Sequence, residues 1–220
     1  MSMNDKDYKY ICFDLDGTLT KSEFGIITAA RYALSKFGIE EPDRAKLLRF
    51  IGPPLYISFD EYYGLKGQDL EDAIEYFRDI YDNETYKEAP LFDGIEEVLD
   101  SLKSKGKTII MVTSKPGYMA QKVAANTGID KFFDHIVAPG AEMKDPSKAD
   151  LLRKAMEYTG NDDRKTMIMI GDRRYDIEGA CEVDVDSIGV LYGYGSKEEL
   201  TLAGATYLVD EPADILKITI

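Results

Sequence analysis

From Ala89 onward, short apolar runs alternate with stretches of helical period, and that alternation admits few architectures. The runs are Thr108–Val112, His135–Ala138, Thr166–Ile170, Ser187–Val190 and Thr206–Val209, with Tyr10-Ile11-Cys12-Phe13 as an earlier sixth. They are apolar almost throughout rather than at every second residue, so each predicts a strand buried on both faces. Helices are expected at Ile95–Lys105, up to about Thr127, Lys148–Tyr158, up to Cys181, Lys197–Ala203 and from Ala213. Strands joined through helices run parallel, which predicts an α/β chain with a Rossmann-like sheet covered on both sides. In such sheets ligands bind beyond the carboxyl ends of the strands. The polar residues that follow each run are therefore the ones to weigh.

Residues 21–88 break the rhythm. Ile27, Ala30, Leu34 and Phe37 recur at helical spacing, and Gly38 sits where a helix would stop. Ile51-Gly52-Pro53-Pro54-Leu55 and Tyr62–Gly67 are breaks between helices, and Leu70–Tyr86 predicts a long amphipathic helix. The chain of 220 residues thus divides into an α/β core, 1–20 with 89–220, and an all-helical insert, 21–88. Forty-one acids against 27 bases give a net charge of −14. That balance argues against non-specific binding of nucleic acid or anionic membrane. No apolar run is long enough to span a bilayer, and the polar start lacks the layout of a signal peptide, so a cytoplasmic location is expected. Cys12 and Cys181 are expected as two buried free thiols. His135 is the single histidine, which leaves a histidine-based triad or zinc site without its partners.

Phe13-Asp14-Leu15-Asp16-Gly17-Thr18-Leu19-Thr20 follows the first strand. Asp14 and Asp16, two residues apart, point to the same side. Gly17 lets the chain turn and Thr18 offers a hydroxyl and backbone donors. Two ionised acids so close need a cation between them, and Mg²⁺, a hard ion that accepts few protein oxygens, suits the pair. Thr113 and Ser114 follow the strand Thr108–Val112 and present hydroxyls and N–H groups at a helix start, which makes either an ordinary helix N-cap or an anion-binding corner. An anion bound there needs a positive partner, and Lys144 and Lys148 are the candidates before the next helix. Lys148 lies in a first helical turn after Ser147, where a cation opposes the helix dipole and requires an acid to pair with. Asp172 and Asp176, past the strand ending at Ile170, share a helix face.

Asp14-x-Asp16-Gly17-Thr18-x-Thr20 resembles the first motif of the haloacid dehalogenase-like superfamily. Val112-Thr113-Ser114-Lys115-Pro116 and Gly171-Asp172-x-x-x-Asp176 are similar to its second and fourth motifs. The resemblance implies a helical cap that covers the site and selects the substrate. It implies Asp14 as nucleophile, Asp16 as general acid/base and Thr113 as holder of a phosphoryl oxygen, with Gly17, Thr18 and Ser114 at the phosphate. It further implies Mg²⁺ held by Asp14, the Asp16 backbone carbonyl and Asp172, with Asp176 orienting the metal shell or pairing with the lysine. Ser147-Lys148-Ala149-Asp150 resembles the form in a 5′-nucleotidase-like branch, which favours Lys148 over Lys144. Phe50–Leu55 and Ile188–Gly195 resemble the same branch, beside the phosphoglycolate phosphatases. In the insert, Arg31, Arg49 and Gly52 are the candidates for substrate contact. The implied activity is Mg-dependent hydrolysis of a small phosphorylated metabolite through an aspartyl-phosphate, by a monomer or homodimer. A phosphomutase, a pyrophosphatase or a non-catalytic binding module are the alternatives.

Overall fold

The computed structural model describes residues 6–140, 143, 146–160 and 164–220. The chain divides into two compact units, Lys21–Pro90 and Met1–Thr20 with Leu91–Ile220. The second is α/β, built on a six-stranded sheet in which every pairing is parallel. Its strands are β1 (Tyr10–Phe13), β2 (Thr108–Val112), β3 (His135–Val137), β4 (Met167–Gly171), β5 (Asp186–Val190) and β6 (Tyr207–Val209). They lie in the order β3-β2-β1-β4-β5-β6. The chain builds outward from β1 to β3 and then returns to the other side of β1 for β4. A parallel sheet leaves a crevice where its order reverses in this way, so β1 and its two neighbours are where a ligand is expected.

Side-chain alternation divides the strands between the two faces. Cys12, Ile110, Val112, Met167 and Met169 form one cluster with Ala149, Leu151, Leu152, Ala155 and Ala180. Those last residues come from α7 (Lys148–Thr159) and α8 (Arg174–Glu182), the helices whose first turns carry Lys148 and Asp176. The helix that leads into β2, α5 (Ile95–Ser104), buries Ile95, Val98, Leu99 and Leu102, spaced three and four apart. α6 (Gly117–Thr127) precedes β3 and α9 (Lys197–Leu202) precedes β6. The sequence predicted one closing helix from Ala213; the chain instead makes a 3₁₀ turn, Pro212–Ile215, before the short α10 (Leu216–Thr219). Cys12 is buried as expected, but Cys181 is exposed, beside the carbonyls of Ala203 and Gly204. It occupies the last turn of α8 on a face that the sheet does not cover.

The other unit is helical: α1 (Glu23–Ser35), α2 (Arg44–Leu48), α3 (Leu55–Tyr63), α4 (Gln68–Asn83) and a 3₁₀ turn at Thr85–Lys87. Ala29, Ala30, Ala33 and Leu34 of α1 are fully buried, and the three alanines are small enough to let a neighbouring helix approach. Phe50, Phe59, Phe77 and Tyr81 form its aromatic core, with Phe50 and Phe59 edge-to-face at 4.9 Å. Among the described residues no helix is long and apolar enough to cross a membrane.

Candidate active site

The register of the sheet brings the acids together. Phe13 of β1 is level with Met111 of β2 and Ile170 of β4. Asp14, one residue further, donates its N–H to the Ile170 carbonyl at 2.9 Å and emerges next to Asp172. Beyond it the chain closes a tight loop: the N–H groups of Leu19 and Thr20 both reach the Leu15 carbonyl at 3.0 Å, and Gly17 N–H reaches the Thr20 carbonyl at 2.9 Å. Leu15 and Leu19 anchor this loop with fully buried side chains. Gly17 has φ +90°, and a Cβ there would overlap the Asp172 carboxylate, so only glycine serves.

One carboxylate oxygen from each of Asp14, Asp172 and Asp176 lies within 4.8 Å of the others, and all three residues are buried. Burial raises the Asp14 carboxyl above its ordinary value, with Asp176 and Asp16 adding to the rise and Lys148 opposing it. Burial likewise holds Asp172 well above the carboxylate range, reinforced by Asp176 and Asp14. Asp172 accepts the Tyr194 N–H at 2.9 Å and the Thr18 hydroxyl at 3.4 Å. Tyr192 donates its hydroxyl to the Thr18 carbonyl at 3.0 Å, which ties the loop after β5 to the loop after β1.

Lys148 is the first residue of α7 and is placed there by its neighbours. The Ser147 side chain accepts the Asp150 N–H, and the Asp150 carboxylate accepts the Ser147 N–H, a capping box that fixes where the helix begins. The Lys148 ammonium then reaches Asp14 and Asp176, each at 2.8 Å, and the Val112 carbonyl at 2.9 Å. Burial alone would lower its pKa; the charges of Asp14 and Asp176 outweigh that and raise it. Those two acids are what a lysine at a helix N-terminus requires. Gly179 of α8 makes room for it, since a Cβ there would sit 2.7 Å from the Lys148 Cβ. Lys144, the other candidate, lies outside the described residues.

Thr113 is buried one residue past β2. Its N–H is committed to the Val137 carbonyl, and α6 begins only at Gly117 with Pro116 as its cap. The expected anion corner at a helix start is therefore reduced, for Thr113, to its hydroxyl. Ser114 follows in the same turn. The backbone donors of Gly17 and Thr18 are likewise engaged inside their loop, Thr18 N–H with the Leu15 carbonyl at 3.4 Å. Arg31, Arg49 and Gly52 belong to the helical unit and are not among the residues that the sheet ends gather. Arg31 is exposed, Arg49 lies over the Tyr62 ring at 5.4 Å, and Gly52 turns the chain with φ +106°.

Sequence reasoning passed over Lys115. Its ammonium lies 2.8 Å from Asp16 Oδ2, and both side chains are about as buried as that of Asp14. The signal was present, a lysine two residues beyond Thr113, but no spacing rule ties it to Asp16. Tyr192, Tyr194 and Gly179 were missed for a similar reason: each acts across the fold.

A divalent cation suits this donor set. Three buried carboxylates converge, two of them are driven toward protonation by burial and by one another, and hard oxygen donors match Mg²⁺. The family model for haloacid dehalogenase-like hydrolases matches residues 11–190. The chain belongs to this family. The hydrolase is 36% identical over 211 residues to a 5′-nucleotidase of Pseudomonas aeruginosa, spanning 96% of this chain and 95% of that one. It is 30% identical to the tyrosine-protein kinase PtkA of Mycobacterium tuberculosis, over 94% of this chain and 72% of the kinase. A solved structure from Clostridium acetobutylicum, titled a predicted phosphatase, is 42% identical and superposes with a TM-score of 0.90 over 96% of this chain and 97% of that one. The hydrolase is an enzyme of the family's phosphatase type.

Proposed function

We propose that this hydrolase cleaves a small phosphate monoester by two displacements at phosphorus. The observation that carries the reading is the Asp14–Lys148–Asp176 arrangement at the end of β1, with Asp16 in the same loop. Asp14 attacks phosphorus and forms an aspartyl-phosphate while Asp16, protonated, gives its proton to the leaving oxygen. Asp16, then a carboxylate, takes a proton from the water that attacks the phosphorus of that intermediate. Phosphate is released and Asp14 restored. Lys148 keeps Asp14 oriented and places a positive charge beside the transferring group. Thr113 offers its hydroxyl to a phosphoryl oxygen. Asp14 and Asp172 would hold Mg²⁺, with Asp176 behind them, and the ion would offset the charge of the phosphoryl oxygens.

The substrate class that the relatives favour is a nucleoside 5′-monophosphate, since one is a 5′-nucleotidase matched along nearly its whole length. Phosphate release would be measured over nucleoside monophosphates, phosphoglycolate, sugar phosphates and pyrophosphate, with Mg²⁺ and with EDTA. Mg-dependent turnover led by nucleotides is the expected result, and Asp14→Asn should abolish it. No release from any ester would sink the reading. Faster turnover of phosphoglycolate or pyrophosphate would replace the substrate and keep the chemistry.

A further inference from the structure

Asp16 has two chemically equivalent oxygens in very different surroundings. Oδ2 is paired with the Lys115 ammonium at 2.8 Å, whereas Oδ1 is buried without a hydrogen-bond partner among the described residues. Lys115 and Asp16 leave adjacent parallel strands at nearly the same height, three residues past Phe13 and four past Met111, which are level in the sheet. The Lys115 N–H is bonded to the Thr113 hydroxyl oxygen at 3.2 Å, so the turn that carries it is fixed as well. The phosphoryl side of the site already has its cation, because Lys148 serves Asp14 and Asp176. Burying a second ammonium is costly unless its charge is matched and used.

We propose that Lys115 is a positioning residue for proton transfer: it holds Asp16 by Oδ2 so that Oδ1 is the oxygen that carries the proton to the leaving group. The proposal rests on the phosphatase reading above. As the phosphorus–oxygen bond to the leaving group breaks, the proton on Oδ1 forms the new O–H bond. The electron pair of the old O–H bond stays on Asp16. The negative charge that develops on this carboxylate meets a cation already in place, with nothing to rearrange. In the second step the same Oδ1 accepts a proton from the attacking water. Lys115 thus matters in proportion to how much the leaving oxygen needs a proton. It matters greatly for an alkoxide and little for a nitrophenolate, which departs unprotonated.

The test compares kcat/KM, which reports the first displacement, for alkyl phosphates, phenyl phosphate and p-nitrophenyl phosphate in wild type, Lys115→Met and Lys115→Arg. Lys115→Met should lose on the order of 10²-fold or more on alkyl esters and less than about 3-fold on p-nitrophenyl phosphate, the span expected of general acid catalysis. Lys115→Arg, which keeps the charge, should recover part of the alkyl loss; it also serves if the methionine variant does not fold. In an Asp16→Asn background, Lys115→Met should cost no more than about 2-fold further, because the residue it positions has lost its function. Equal losses on all leaving groups, or a full additional loss in the Asp16→Asn background, would overturn the proposal and leave Lys115 a structural ion pair. Wild-type enzyme that releases phosphate from none of these esters would instead overturn the phosphatase reading, and this proposal with it.

Discussion

Replacing Lys148 with methionine removes one charge and leaves two. Each of its ion pairs, at 2.8 Å, is worth roughly 6 kcal/mol of gross attraction at an effective dielectric of about 20. Much of that is offset by the desolvation of three buried ions. The quantity that a variant reads is the penalty of stranding Asp14 and Asp176 without a counter-charge, about 3–5 kcal/mol for a broken buried pair. For a chain of this size that penalty lowers Tm by roughly 6–20 °C. Its pH dependence has a definite sign. Without Lys148, nothing opposes the burial that raises Asp14, and its carboxyl is held above its unfolded value. The penalty then appears above about pH 4 and grows as pH rises. The gap in Tm between wild type and Lys148→Met, measured with EDTA present, should narrow steadily from pH 8 to pH 5. Lys148→Met/Asp176→Asn should recover part of the loss, since one stranded acid is gone. Phosphate release by either variant should fall on the order of 10²-fold or more, as when a charge stabiliser is removed from a site of this kind. A Tm within about 2 °C of wild type at pH 8, or a gap that does not change with pH, would refute the reasoning.

Asp172→Asn should raise the Mg²⁺ concentration needed for half-maximal activity and reduce the stabilisation that Mg²⁺ produces in thermal melts, since the cluster loses one of its three buried carboxylates. Gly179→Ala should cost about 1–3 kcal/mol, because the new methyl group meets Lys148 Cβ in a packed interior; a denaturant midpoint equal to that of wild type would show that α8 can yield. Asp134 tests the sheet edge. Burial raises its carboxyl, but the hydrogen bonds from Lys103 and from Ile109 N–H outweigh that and hold it below the ordinary value. A depressed carboxyl stabilises the fold above its unfolded pKa and loses that contribution as pH falls through the folded one. The stability difference between wild type and Asp134→Asn should therefore be present at pH 6 and shrink below about pH 4. A difference that stays constant down to pH 2 would assign it to the backbone bond alone.

Several parts of this molecule were written locally. Continuous apolar runs such as Thr108–Val112 and Ile95–Ser104 with its buried three-and-four spacing specify strand and helix by pattern, because burial on two faces or on one stripe leaves a period in the residues. Asp14, Asp16 and Asp172 were legible for a related reason: they follow strands directly, and the end of a parallel strand is where polar residues meet a ligand. Ser147 was legible as a helix start, which placed Lys148 in the first turn, whereas the Asp150 half of the capping box came from the structure. Boundaries that depend on packing were less so. The last helix broke into a 3₁₀ turn at Pro212, and Cys181 emerged on an uncovered face.

What sequence alone determined was the parallel α/β plan, the helical stretch between the first two strands and the candidate acids, since each rests on contacts between residues close along the chain. Only the tertiary structure decided which groups share a charge. Lys148 meets Asp14 across 134 residues, Tyr192 meets Thr18 across 174, and Lys115 meets Asp16 from a neighbouring strand. Nothing in local spacing encodes such a pairing. It follows from strand order and register, which bring the ends of β1, β2 and β4 to one level, and from burial, which makes an unmatched charge there too costly to leave alone.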